Sequence, residues 1–343
     1  GLTRADPTLQ VYYGRPERNT SLDVTASDAA FPEGDNFRMA FAFSSPDGAY
    51  YAPGISDAEP SLPVYWNGPA ETQGNAHALY VQREPGSIDG PPLSYVAYDS
   101  AAVSLSDGDA DDDVLGLDLS ADVLGTVNIA GSVDSGQFGS HIHRLAMRFD
   151  DGTVLPLLAS ESNQAPFSFL VPVLPEATLT VAASSNVVGY VVAHTDGVPA
   201  AADQNVDLVL PRPVAPNAPA NGGTAGPGTT FSWSTVGQSA RVFVWHLESE
   251  GFVEGIYVIT SESSIELPQV PGFSVTLPDP DDEWAFYWSV ETHGDFASVD
   301  AATGPEGLFD SYALDKDLGT GPLRGSQGYY TNSDIRSVNL SAQ

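Results

Sequence analysis

Short runs rich in Val, Tyr, Phe, Thr and Leu, broken roughly every ten residues by Gly, Pro, Asp, Asn and Ser, leave this chain one class of fold. Helical periodicity is almost absent, so the class is all-β. In Phe37-Arg38-Met39-Ala40-Phe41-Ala42-Phe43 the large apolar side chains take every second position. Successive residues of a strand point to opposite sides, so this pattern predicts one face packed inward. His77, Leu79, Val81 and Arg83 likewise share one face of their strand, with Ala78, Tyr80 and Gln82 on the other.

Candidate strands fall into three groups. The first holds 9–13, 37–43, 62–66, 77–83, 93–98 and 102–105. The second holds 123–129, 144–149, 154–158, 167–171, 178–183, 187–193 and 206–210. Within it Asp150-Asp151-Gly152 predicts a hairpin turn, because Asp-Gly supports the positive φ that a tight β-turn needs. The third holds 230–233, 240–248, 255–260, 264–267 and 284–291. At 343 residues the chain exceeds one ordinary core. We therefore expect three consecutive β-sandwiches, at 1–112, 113–211 and 229–304. A Pro/Gly-rich linker, 212–228, and a glycine-rich extended tail, 305–343, complete the chain.

Phe231-Ser-Trp-Ser234, Ala240-Arg-Val-Phe-Val-Trp-His-Leu247, Ser264-Ile-Glu-Leu267 and Trp284-Ala-Phe-Tyr-Trp-Ser-Val290 resemble a fibronectin type III domain. Tyr287 to Val290 is one residue tighter than that family's usual spacing. Leu124-Gly-Thr-Val127, Phe149-Asp-Asp-Gly152 and Phe167-Ser-Phe-Leu-Val-Pro172 resemble the carboxypeptidase-regulatory or CnaB type of sandwich. The lysine that forms the isopeptide cross-link of some CnaB domains is missing, since residues 113–211 contain no lysine. The tandem of such modules resembles surface lipoproteins and secreted proteins of myxobacteria and related marine bacteria. That resemblance implies an extracellular or periplasmic scaffold that recognises partners through loops or sheet edges.

Forty-five acidic against twelve basic residues give a formal charge of −33, which repels phosphate backbones and anionic lipid surfaces. The charge is spread, at −12 over 1–112, −9 over 113–211 and −11 over 216–304. Lys316 is the one lysine. A chain this acidic repels itself in fresh water, so screening by salt or bound cations is expected, and halophily is the hypothesis. With no cysteine, disulfides and thiolate chemistry are excluded. No apolar run reaches the roughly 18 residues of a membrane span. The start at Gly1, with no basic-then-apolar leader, carries the expectation of a trimmed, exported product found outside the cell or on its surface.

Asp107, Asp109, Asp111, Asp112 and Asp113 place carboxylates in the manner of calcium loops, although an EF-hand would need glycine and glutamate where Asp112 and Asp118 stand. An interdomain calcium clamp and a solvated acidic linker are both open here. Asp279, Asp281, Asp282 and Glu283 form a second acidic cluster with the same two readings. No cofactor is otherwise required. His141 and His143 alternate on an extended segment without an adjacent third ligand, which reads as a surface pair rather than a metal site; His77, His194, His246 and His293 show no ligand spacing. The motifs of serine hydrolases, zinc proteases and phosphate-cradling loops are missing, so a non-enzyme is expected. Of the aromatic residues in the first segment, Tyr50, Tyr51 and Trp66 are candidates for a sugar-stacking platform.

The expected function is structural: self-assembly into a layer or fibre, with the chain itself or other surface proteins as partners. The arms would be Leu9, Val11 and Tyr13 at one end and Val338 and Leu340 at the other. Either arm could pair with a neighbour's sheet or within its own chain. The alternative is a monomeric module that binds polysaccharide or a protein.

Overall fold

The computed structural model describes residues 17–27, 37–44, 54–56, 61–67, 69–84, 91–108, 114–118, 124–174, 176–186, 190–226, 228–235, 242–249, 256–266, 286–294, 296–303 and 327–340. Seven strands come first: β1 (Glu17–Ser27), β2 (Phe37–Ser44), β3 (Gly54–Ser56), β4 (Ser61–Asn67), β5 (Glu71–Arg83), β6 (Pro92–Ser106) and β7 (Val114–Asp118). They form two sheets, β4-β1-β7 and β3-β2-β5-β6. Phe41 and Phe43 of β2, with Ala78 and Tyr80 of β5, pack on Leu22, Val64 and Trp66 of the facing sheet. The expectation of a single inward face is corrected by the opposite row. Ala40, Ala42, Leu79 and Val81 are also buried, in a cluster with Leu155, Leu157 and Phe167. The β3-β2-β5-β6 sheet is thus a middle layer, covered on both sides.

The second covering layer comes from β8 (Thr126–Asp134), β9 (His141–Phe149), β10 (Val154–Ser162), β11 (Pro166–Pro172), β12 (Ala177–Ser185), β13 (Val191–Pro199) and β14 (Asn205–Val209). The hairpin expected at 150–152 joins β9 to β10, with Gly152 at φ 88° and its amide donating to the Phe149 carbonyl at 2.9 Å. β11-β8-β14 is one sheet of this sandwich and β10-β9-β12-β13 the other. Its core is continuous with the middle layer, and two polar side chains cross that seam. The buried Arg83 guanidinium donates to the Leu157 carbonyl. The Tyr95 hydroxyl donates to the Leu170 carbonyl at 3.0 Å. Fully burying a Leu or Val contributes roughly 1.5–3 kcal/mol, so a shared core of this kind binds the layers together.

The remaining elements are β15 (Ala215–Ala218), β16 (Gly223–Ala225), β17 (Thr230–Ser234), β18 (Val242–Ser249), β19 (Ile256–Thr260), β20 (Ser264–Glu266), β21 (Phe286–His293), α1 (Val299–Thr303), β22 (Gln327–Asn332) and β23 (Arg336–Leu340). Phe231, Trp245, Trp288, Val290 and Val338 make their core. The stretch read as linker contains two strands. β15 is an edge strand pairing β17, a position where proline is tolerated because one side of the strand makes no ladder bonds. β16 pairs in parallel with β23. The end of the tail, where the C-terminal arm is expected, is sheet as β22 and β23. β22 lies between β13 and β21, so the run β10-β9-β12-β13-β22-β21-β18-β19 passes through both sandwiches. At the junction the Thr292 and Thr331 hydroxyls are buried 2.6 Å apart, and the Val214 amide donates to Thr331 Oγ1 at 3.4 Å.

Candidate functional site

The β9–β10 turn meets the middle layer at a hollow of about 320 Å³, lined by Asn75, His77, Tyr98, Phe149, Asp151 and Glu176 among others. His77 and Tyr98 reach it from β5 and β6, Phe149 from the end of β9, and Asp151 from the turn itself. Asp151 is positioned locally, since the Thr153 amide donates to its Oδ1 at 2.9 Å. Its other oxygen faces His77 Nε2 at 2.8 Å, while His77 Nδ1 lies 2.9 Å from the Tyr98 hydroxyl. With Asp151 ionised, Nε2–H donates to the carboxylate, and in the neutral imidazole Nδ1 accepts from Tyr98. The rings of His77 and Tyr98 lie nearly parallel to Phe149, at centroid separations of 4.0 and 5.7 Å.

Partial burial works against the charge of Asp151, but hydrogen bonds from His77 and Thr153 prevail and hold its carboxyl below the ordinary range. Burial pushes the Tyr98 phenol up; a hydrogen bond from Ser100 opposes this, and the carboxylates of Asp151, Asp99 and Glu176 add to it. A phenol shifted upward stays protonated, so Tyr98 is a hydrogen-bond donor here and not a nucleophile. At the rim Glu176 is exposed and takes φ 60°, a left-handed conformation that side chains rarely adopt.

The sequence-derived candidates are placed elsewhere. Trp66 is fully buried and its Nε1–H donates to the Pro69 carbonyl at 2.8 Å, so it is a core residue and offers no ring face to a sugar. Tyr50 and Tyr51 lie outside the described residues. Asp107 accepts from the Arg18 guanidinium with one oxygen and from the Asn19 amide at 3.3 Å with the other, which ties the end of β6 to β1. Asp109, Asp111, Asp112, Asp113, Asp279, Asp281, Asp282 and Glu283 lie outside the described residues, as do Leu9, Val11 and Tyr13. Among the described residues no three His, Asp or Glu side chains converge as a metal site would require. Val338 is buried opposite Phe286, and Leu340 pairs with Ala225. Of the two pairings open to this segment, the structure shows the one inside its own chain.

His141 and His143 do share a side, but the surface reading is corrected: each is 2% exposed, with their Nε2 atoms 3.1 Å apart. They point into the sandwich, His143 packing against Phe167 and Phe169. Burial first, and the neighbouring His141 second, push His143 down to about 4; burial also lowers His141. The His77–Asp151 contact was missed because its partners are 74 residues apart. The one local sign was that His77 shares a strand face with Leu79 and Val81, a face that something had to cover.

No family model matches the chain, and no curated protein sequence matches it. Solved structures do align. The fimbrial anchor protein Mfa2 from Porphyromonas gingivalis aligns over 48% of this chain and 78% of its own, at 11% identity and TM-score 0.23. The shaft pilin SpaA from Lactobacillus rhamnosus GG aligns over 57% and 97%, at 11% identity and TM-score 0.19. A streptococcal ancillary pilin aligns over 72% and 86%, at 10% identity and TM-score 0.19. Superpositions this loose transfer neither a strand order nor a role. Among the described residues no helix is long and apolar enough to cross a membrane.

Proposed function

We propose that this chain is a non-enzymatic structural protein of the cell surface or extracellular space, built to assemble with copies of itself into a layer or fibre. The observation that supports this reading is the shared sheet: β22 hydrogen-bonds β13 on one side and β21 on the other, so two sandwiches are joined by ladder bonds. A joint of this kind holds a fixed angle, which a repeating assembly requires and a flexible linker does not provide.

Among the described residues the two ends of that sheet differ. β10 carries Pro156 and a register shift between Pro156 and Leu158, features that blunt an edge. β19 reads Ile-Tyr-Val-Ile-Thr, with no charge and no proline, and its Tyr257 is 57% exposed. An uncharged edge strand is a template for pairing, and β19 is the segment we assign to contact with a second copy. Bound calcium and high salt would aid assembly by neutralising the acidic surface.

Electron microscopy and light scattering of the purified chain, with salt and calcium varied, test the proposal. Ordered polymers are expected; monodisperse monomers under every condition would overturn it. A monomeric binding module is the second reading, and the hollow beside Tyr98 is the observation that favours it.

A further inference from the structure

The hollow at the β9–β10 turn is unequal in its hydrogen-bonding groups. Asp150, Asp151 and Glu176 line it, and Asp99 is near enough to act on the Tyr98 phenol. No lysine or arginine is among its lining residues. The one basic side chain there, His77, has both ring nitrogens engaged, one with Asp151 and one with Tyr98. The site therefore has carboxylates in excess, its other polar side chains being the neutral Asn75 and Ser100. A ligand that fits is one with several donors and positive charge.

The walls select further. Phe149 and Tyr98 bring aromatic rings to the hollow, and a cation beside such rings is attracted by their quadrupoles. A volume of about 320 Å³ sits at the lower end of small-ligand sites and exceeds what a bare metal ion needs. An anionic sugar or phosphate would meet like charge. A divalent metal would find no three converging ligands among the described residues.

We propose that this hollow binds an organic cation, an alkylammonium or guanidinium group, with Tyr98 and Phe149 beside it and Asp150, Asp151 and Glu176 around its charge. The site goes beyond the assembly reading and does not depend on it. The group could be carried by a free amine or by a lysine or arginine side chain of a partner protein, since both present the same chemistry.

Saturation-transfer NMR and calorimetry on the full chain, at constant ionic strength, test the proposal. The probes are n-butylammonium, methylguanidinium and the neutral n-butanol, followed by the peptide Gly-Gly-Lys-Gly-Gly. The two cations are expected to receive saturation and butanol to receive none. Glu176→Gln is expected to weaken cation binding about three- to tenfold, the loss of one nearby charge at a solvated rim, while Glu266→Gln on β20 leaves it unchanged. Glu176→Gly separates fold from site, because glycine suits the positive φ: melting is expected to be unchanged or raised while binding falls. Tighter binding of the peptide assigns the cation to a protein side chain, and tighter binding of butylammonium assigns it to a free amine; either upholds the site. Equal binding of butanol and butylammonium, equal effects of Glu176→Gln and Glu266→Gln, or no saturation of any cation would each overturn it.

Discussion

His77 and Asp151 meet across the seam between two β layers, Nε2 to Oδ2 at 2.8 Å, from positions 74 residues apart. The imidazole is 5% exposed and the carboxylate partly so. A hydrogen bond to a charged group contributes roughly 1.5–3 kcal/mol. Asp151→Asn and His77→Gln should each lower stability by about 1–3 kcal/mol, and the double variant should cost less than their sum. A double-mutant cycle by urea unfolding checks this; additive costs would show that the pair does not couple the layers.

The same contact sets an acid limit. Because the folded Asp151 carboxyl lies below the ordinary 3.8, the unfolded chain binds its proton first as pH falls. The stabilisation is fully present above 3.8 and is lost as pH drops from there through the lower folded value. Asp151→Asn should therefore flatten the stability profile below about pH 4.

A separate and earlier acid effect is expected from His143. Its folded value of about 4 lies below the unfolded 6.5, so protons favour the unfolded chain between these two pH values. Stability should be full above 6.5 and fall by on the order of 3 kcal/mol as pH drops to about 4. His143→Leu should remove most of that slope while keeping the core filled. Denaturant melts at pH 7 and pH 4.5 measure it, and an unchanged slope would place the titration elsewhere.

The joint at β22 is testable through its hydroxyls. Thr331→Val leaves both the Thr292 hydroxyl and the Val214 amide without their partner, so it should cost about 1–3 kcal/mol. Thr292→Val should cost less. The two together should cost less than their sum, because no buried Thr292 hydroxyl is then stranded.

Gly131 on β8 faces a close approach. A Cβ there would stand 1.9 Å from the Val206 carbonyl oxygen and 2.5 Å from Phe167 Cζ. Gly131→Ala must push β14 off β8, where Val206 pairs with Gly131, and should cost more than about 3 kcal/mol. A melting shift under 2 °C would refute the crowding.

The edge strand β19 separates assembly from folding. Tyr257→Lys puts a charge on an exposed edge position and should leave stability within about 1 kcal/mol of the parent. Polymers should shorten or vanish in micrographs of this variant. Unaltered polymers would move the contact away from β19.

Local sequence carried the strands and the tight turn. The alternation at 37–43, the apolar runs at 144–149 and 154–158 and the Asp-Gly turn between them are properties of a strand's own period of two and of one glycine's φ, so they need no knowledge of the rest of the chain. The edge strand β15 was hidden because Pro216 within it, with Pro213 and Pro219 on either side, mimics a linker. β1 passed unread because its sequence, Glu-Arg-Asn-Thr-Ser-Leu-Asp-Val-Thr-Ala-Ser, is largely polar. What the alternation could not decide is whether a strand's second face meets water or another layer. Ala40, Ala42 and Leu79 are buried because a sandwich that begins only at Thr126 settles on them. The joining of two sandwiches through β22 and the meeting of His77 with Asp151 have the same origin. Each depends on contacts between distant segments, whose geometry is set only when the layers stack, and neither leaves a mark in local spacing. All-β character, acidity and lack of cysteine were therefore determined by the sequence alone, while the covered middle layer, the continuous sheet and the acidic hollow were decided by the tertiary structure.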